Sequence, residues 1–217
     1  VIWDWDFALR ILPDLLRALV VTVEATVLGM SLALVLGLLW AILRRAHFRI
    51  VSLSVTWTVE LVRSTPLLVQ IYFLFFVLPE AGVRLSPLMT GILALGLHYS
   101  AYTAEVYRAG IEGVPTGQWE AALALNMKPW HTWKAIILPQ AIPPVIPALS
   151  NYLIAMFKDT PLLAAITVLE LLQTAKLIGA ETFRYLEPLT LVGLLFLAIS
   201  LLSSRLTRKL EVRFAST

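Results

Sequence analysis

The chain has no cysteine among its 217 residues, which excludes both disulfides and thiolate-bound metal. Charge is also scarce. Only 14% of residues are Asp, Glu, Lys or Arg, against about a quarter in a soluble domain. Histidine is limited to His47, His98 and His131, too far apart in sequence for a ligand pair of the usual spacing, so no metal site is expected. No basic leader opens the chain: VIWDWDFALR is acidic and aromatic, so no cleavable signal peptide is expected. The absent initiator Met suggests trimming or missing residues. There is no GxxxxGK[ST] phosphate loop, so any nucleotide chemistry must come from elsewhere.

What is abundant is apolar surface, 59% of residues. That composition describes an all-α membrane protein. A bilayer-spanning helix needs about 20 mostly apolar residues, and five stretches qualify: roughly Leu15–Leu43, Leu53–Leu78, Leu88–Tyr107, Ala141–Phe157 and Pro188–Leu206. The fourth is crowded by Pro143, Pro144 and Pro147 at its start and by Pro161 after it. Basic residues flank the spans unequally. Arg44, Arg45 and Arg49 follow the first; Lys128 and Lys134 lie between the third and fourth; Arg205, Arg208, Lys209 and Arg213 come last. The positive-inside rule then places the N-terminus outside and the C-terminus inside. The net charge of +3, gathered at segment ends, suits anionic lipid rather than nucleic acid.

The longest polar insertion, about residues 110–140, falls on the cytoplasmic side in this topology. Within it QWEAALALN has good helix formers and ends in Asn126, which tolerates the left-handed cap position. Trp119, Ala122, Leu123 and Leu125 alternate with Gln118 and Glu120, predicting a short amphipathic helix. On its residues alone that helix either lies on lipid headgroups or docks a partner.

One pattern occurs twice: RSTPLL at Arg63–Leu68 and KDTPLL at Lys158–Leu163. Proline removes a helix donor but suits the first position of a new helix, with threonine as the cap before it. Each motif therefore predicts a broken helix, and irregular backbone at membrane depth must be buried or line a watery cavity. Restarted helices would point N–H groups into that cavity, as in transporters. Arg63 or Lys158 would hold a substrate carboxylate and Asp159 a cationic group, which together describe a small zwitterion. Tyr152, on the helical face of Asp159, would offer a ring to the cation, and Gln70, seven residues after Arg63, would donate to the substrate. Ser64, Thr65, Asn151 and Thr160 complete the expected substrate-binding set. Two further acids lie in spans: Glu24 near the outer rim, and Glu105, expected to pair with Arg108 at i+3.

Two rivals are weaker. A Ser–Lys nucleophile pair would need Ser150 beside Lys158, but eight residues of helix separate them by about 12 Å, so no catalytic residue is expected. A secondary transporter or channel also uses broken helices, yet has no use for a docking loop.

The loop EAALALNMKPWHTWKAIILP resembles the EAA loop of permease subunits of bacterial ABC importers: EAA, three residues, Gly, nine residues, I-x-L-P. Glu120, Ala121 and Ala122 are followed by Asn126 in the glycine position, then Ile136, Leu138 and Pro139 in step. VRSTPLLVQ, AYTAEVYRAGIEGVPTGQWEAA, LPQAIPPVIPALSN and KDTPLL are similar to the polar amino-acid uptake branch. Within it, LGLHYSAYTAEVYRAG and TVLELLQTAKLIGAETFRYLEP most resemble permeases for ectoine and hydroxyectoine. The resemblance implies a five-helix type I importer permease in the bacterial inner membrane, paired with a second permease, identical or related. It also implies two cytoplasmic ATPase subunits that carry the ATP and Mg, and an extracellular solute-binding protein. Residues Gln118, Trp119, Glu120, Ala121, Ala122, Leu125 and Asn126 would then form the coupling helix, which favours docking over lipid.

Overall fold

The computed structural model describes residues 2–215, all of their regular structure helical. The side chain of Arg213, counted above with the C-terminal basic residues, lies outside those described. Nine α-helices follow in order: α1 Trp5–Leu43, α2 Arg49–Ser64, α3 Leu67–Tyr72, α4 Pro87–Glu112, α5 Thr116–Ala124, α6 Pro129–Thr132, α7 Leu138–Asp159, α8 Leu171–Thr182 and α9 Leu186–Ala215. Short π-helical turns cover Phe73–Val77 and Trp133–Ile137, and 3₁₀ segments cover Leu78–Ala81 and Thr160–Ile166.

The central feature is the pairing of α1 with α4. Ala25, Gly29, Ala33, Gly37 and Ala41 recur every fourth residue on α1 and are all buried, forming a stripe that lets two backbones approach closely. A methyl group added at Gly37 would overlap Thr103 Oγ1 and stand 2.9 Å from the Ser100 carbonyl oxygen. Polar bonds cross the same seam. Thr103 Oγ1 donates to the Ala33 carbonyl at 2.8 Å, and Trp40 Nε1 to Ser100 Oγ at 3.1 Å. The opposite face of α1 presents large apolar side chains, with Val20, Val27, Val35 and Ile42 exposed. Small residues inward and large ones outward are what lipid solvent requires, since packing rather than water exclusion joins the helices.

α1 begins ten residues before the predicted start. Asp4 caps it by accepting from the Phe7 N–H at 3.0 Å, and the helix runs on through Pro13. Among the described residues three helical stretches are long and apolar enough to cross a membrane, Trp5–Leu43, Pro129–Ile166 and Leu186–Lys209, and the bent pair Arg49–Ser64 with Leu67–Ala81 makes a fourth if it is one span. The second contains Pro143, Pro144 and Pro147 within α7, so the prolines that seemed to threaten this span do not break it.

The predicted second span is not one straight helix. Arg49–Ser64 and Leu67–Ala81 meet at 105°. α2 packs Val55 and Val59 on Ala101 of α4, beside Trp40 and Leu43 of α1, and the chain turns at Thr65–Pro66. α4, the predicted third span, has 26 residues but lacks the apolarity of the others; its Thr90, Tyr99, Ser100 and Thr103 are buried against protein instead. At the far end of α4, Leu163 and Ile166 join Leu67, Ile71, Leu95 and Met156 in the main core. A second core sets Phe7, Ile11 and Leu15 against α8 and α9. Glu170 is fully buried there and caps α8, accepting from the Leu172 and Gln173 N–H groups at 2.9 and 2.6 Å.

Candidate functional site

Four rings and two opposite charges meet where α2, α4 and α7 converge. On α4, His98, Tyr99 and Tyr102 lie within one helical turn; Tyr152 projects from α7. Ring centroids are 6.1 Å apart for Tyr99–Tyr152, 5.6 Å for Tyr102–Tyr152 and 5.2 Å for His98–Tyr102. Tyr99 donates its hydroxyl to Asp159 Oδ2 at 2.6 Å, leaving the other carboxylate oxygen for a further donor. Across the rings, the Arg63 guanidinium carbon lies 5.6 Å from the Tyr102 centroid, within cation–π range. His98 Nδ1 is buried without a hydrogen-bond partner among the described residues. An orphaned buried polar atom beside a cation and an anion marks a place able to receive a polar molecule.

The two repeated motifs therefore reach one cluster, through Arg63 and Asp159, but their backbones differ. The first is a true break, with Thr65 and Pro66 both extended. Thr65 does not cap the following helix; its hydroxyl donates back to the Leu61 carbonyl at 2.7 Å. In the second motif a 3₁₀ helix, Thr160–Ile166, follows α7 without a gap and carries Pro161 in its first turn. α7 tightens into the 3₁₀ segment at Thr160, whose buried hydroxyl donates to the Phe157 carbonyl at 2.8 Å. Gln70 is likewise engaged by backbone: its Nε2 donates to the Val62 and Thr65 carbonyls at 2.7 and 3.0 Å, which the bend frees. Thr65, Gln70 and Thr160 thus hold the local backbone rather than present donors to a ligand. Ser64, Asn151 and Lys158 are exposed and make no side-chain hydrogen bond among the described residues. Of the expected set, Arg63, Tyr152 and Asp159 are brought together. Tyr99, Tyr102 and His98 were not anticipated; the i, i+3 spacing of tyrosines in HYSAY was the available signal.

Below the rings lies a denser charge cluster. Glu105 forms a close ion pair with Arg44, a second with Arg108 at 2.7 Å, and a looser one with Arg63 at 3.7 Å. The expected Glu105–Arg108 pair is present, and two more arginines converge on the same carboxylate. Arg63 also contacts Glu60 at 3.2 Å, so it bridges this cluster and the rings. Glu24 is exposed on α1.

The predicted loop helix is α5. Its end is a Schellman turn: Met127 N–H reaches the Ala122 carbonyl at 3.0 Å and Asn126 N–H the Leu123 carbonyl at 2.9 Å, with Asn126 left-handed at φ 50°. Ala122 is buried, and Trp119 stacks edge-on against Trp133 at 5.3 Å. Leu123 and Leu125 do not share that inward face. They are 81% and 75% exposed, so the outer surface of α5 offers leucines together with Gln118, Glu120 and Ala121.

A family model described as the binding-protein-dependent transport system inner membrane component matches residues 33–216. The chain belongs to this family. A probable amino-acid ABC transporter permease of Sinorhizobium fredii is 48% identical, covering 97% of this chain and 94% of its own length. The glutamine transport system permease of Escherichia coli is 34% identical over 97% of both chains. The crystal structure of an amino acid ABC transporter with histidines superposes with a TM-score of 0.93 at 31% identity, covering 98% of this chain and all of the other. An inward-facing methionine ABC transporter shares the fold, with a TM-score of 0.64 at 18% identity.

This binding-protein-dependent permease is thus an ABC importer subunit of type I fold and a multi-pass protein of the bacterial inner membrane. Its relatives are named as permease proteins of amino-acid transport systems.

Proposed function

We propose that the protein forms the translocation path for a polar amino acid, binding its two charged ends between Arg63 and Asp159. The observation that carries this reading is the aromatic cluster flanked by these residues, with an unpartnered His98 nitrogen beside it. The substrate carboxylate meets the guanidinium. The ammonium takes the free oxygen of Asp159 and faces the rings of Tyr102 and Tyr152. The relatives support an amino acid in general, being named for glutamine, L-cystine and arginine. Ectoine and hydroxyectoine carry the same pair of charges, and the resemblance of the α4 segment is the reason to test them as well.

Five crossings, with the N-terminus outside and α4 as the crossing least exposed to lipid, put α5 in the cytoplasm. There it acts as the coupling helix, set in a groove of an ATPase subunit. A second permease, identical or related, and two ATPases complete the core, and an extracellular solute-binding protein delivers the substrate. ATP and Mg stay with the ATPases. ATPase closure moves α5 and switches the chamber between its two faces.

The test is uptake into vesicles by the reconstituted complex, with labelled arginine, glutamine and ectoine compared directly. Asp159→Asn keeps an acceptor for Tyr99 but removes the charge. Loss of a charged hydrogen bond is worth roughly 1.5–3 kcal/mol, so uptake affinity should fall about 10- to 150-fold while the complex still assembles. Unchanged uptake by this variant removes Asp159 from the site. Uptake that proceeds on an ion gradient without ATP would establish a secondary transporter instead.

A further inference from the structure

A second site lies away from the rings, at the end of the bundle that carries α5. The last turns of α1, the end of α4 and the start of α7 enclose a cleft of about 590 Å³, within the roughly 300–1,000 Å³ of small-molecule sites. Leu38, Ile42, Ala46, Ile111 and Leu138 make its walls apolar. The cation at its edge is Arg45, whose guanidinium lies 5.7 Å from the Trp133 ring centroid. Arg44, next to it, is held by Glu105, whereas Arg45 has no carboxylate partner among the described residues and is exposed. Leu38 and Ile42, which line the cleft, are also exposed on α1, as are the neighbouring Val35 and Leu39.

An apolar trough that runs along a lipid-facing helix and ends at an unneutralised guanidinium is complementary to one kind of molecule: an amphiphile with an anionic head. We propose that this cleft binds an anionic phospholipid of the cytoplasmic leaflet, its phosphate on Arg45 and the first part of one acyl chain between α1 and α7. The assignment of leaflet rests on the proposed cytoplasmic position of α5. The site has a mechanical connection. Trp133 lies against Arg45 on one side and against Trp119 of α5 on the other, so an occupied cleft steadies the support of the coupling helix.

The experiment uses the full complex purified in nanodiscs of phosphatidylcholine with or without phosphatidylglycerol. Lipids retained on the permease are counted by native mass spectrometry, and ATPase activity is measured in parallel. A basic residue near the surface contributes about 1 kcal/mol toward anionic lipid, so Arg45→Gln should weaken phosphatidylglycerol retention about fivefold. Arg45→Lys should keep most of it. Stimulation of ATPase activity by phosphatidylglycerol should fall in the Gln variant only. Equal retention by wild type and Arg45→Gln overturns the site, and displacement of the lipid by millimolar inorganic phosphate alone overturns the lipid assignment in favour of a free anion. Failure of the ATPases to copurify with the wild type would instead overturn the proposed coupling, since lipid retention is counted on the permease itself.

Discussion

Replacing Gly37 with alanine adds one methyl group at the tightest point of the α1–α4 seam. Its neighbours there include backbone: the Ser100 carbonyl oxygen at 2.9 Å and the Ala104 nitrogen at 3.0 Å. A flexible side chain can swing aside, but these atoms move only with α4 itself. The methyl also overlaps Thr103 Oγ1 and so disrupts its 2.8 Å bond to the Ala33 carbonyl. Overpacking costs about 1–3 kcal/mol, and an interhelical bond in a membrane averages roughly 0.6 kcal/mol. Against this, alanine gains about 1 kcal/mol over glycine in helix propensity. The net expectation is a loss of about 0.6–2.6 kcal/mol, toward the upper end because backbone is involved. Gly193 of α9 is the internal control, since an added methyl there meets nothing within 4 Å; the same substitution should stabilise it. Thermal melts of the purified permease in one detergent should therefore shift in opposite directions, by about 2–4 °C per kcal/mol. A Gly37→Ala melt at or above wild type would refute close backbone contact as the basis of the pairing.

Glu120→Lys reverses the charge on the exposed face of α5, and copurification of the ATPase subunits should be lost while membrane insertion is retained; undiminished association would exclude this face from docking. Gln70→Ala removes the side-chain donor from the Val62 and Thr65 carbonyls, leaving Val62 only the long bond from the Thr65 N–H at 3.4 Å, a loss of about 1–3 kcal/mol. It should lower the melting temperature while leaving substrate affinity within a fewfold of wild type, and a large affinity change at normal stability would return Gln70 to the substrate site. Asn126→Ala puts an ordinary side chain at φ 50°, costing about 1–2 kcal/mol, whereas Asn126→Gly should be neutral or better. Matching circular-dichroism melts for the two variants would contradict the left-handed cap.

Three of the five predicted spans were legible because membrane helices announce themselves by length and composition. Direction was not. Hydropathy summed over residues 53–78 carries no information about a 105° turn, although Pro66 marked where it lies. The three interior prolines of α7 misled in the other direction, because the cost of a missing donor depends on neighbouring structure that the sequence does not display. At the site, Arg63 and Asp159 stood out since charge is expensive in a membrane. Tyr99 and Tyr102 did not, because tyrosine in an apolar helix is ordinarily packing. Thr65, Gln70 and Thr160 were read as ligands for the opposite reason: polar side chains near a bend compete for the carbonyls it frees. On the loop, Asn126 gave away its backbone shape, but the outward turn of Leu123 and Leu125 depends on where Trp133 sits.

The close seam between α1 and α4 has a mechanical corollary. Two helices locked by interleaved small residues and by threonine and tryptophan bonds behave as a single girder, too stiff to bend within itself. Any opening and closing of the pathway is thereby left to the joints on either side, the elbow at Thr65–Pro66 and the coil change after Asp159. Arg63 and Asp159, proposed above to hold the two ends of the substrate, are mounted beside those joints, so movement there alters the spacing between them while the girder stays fixed.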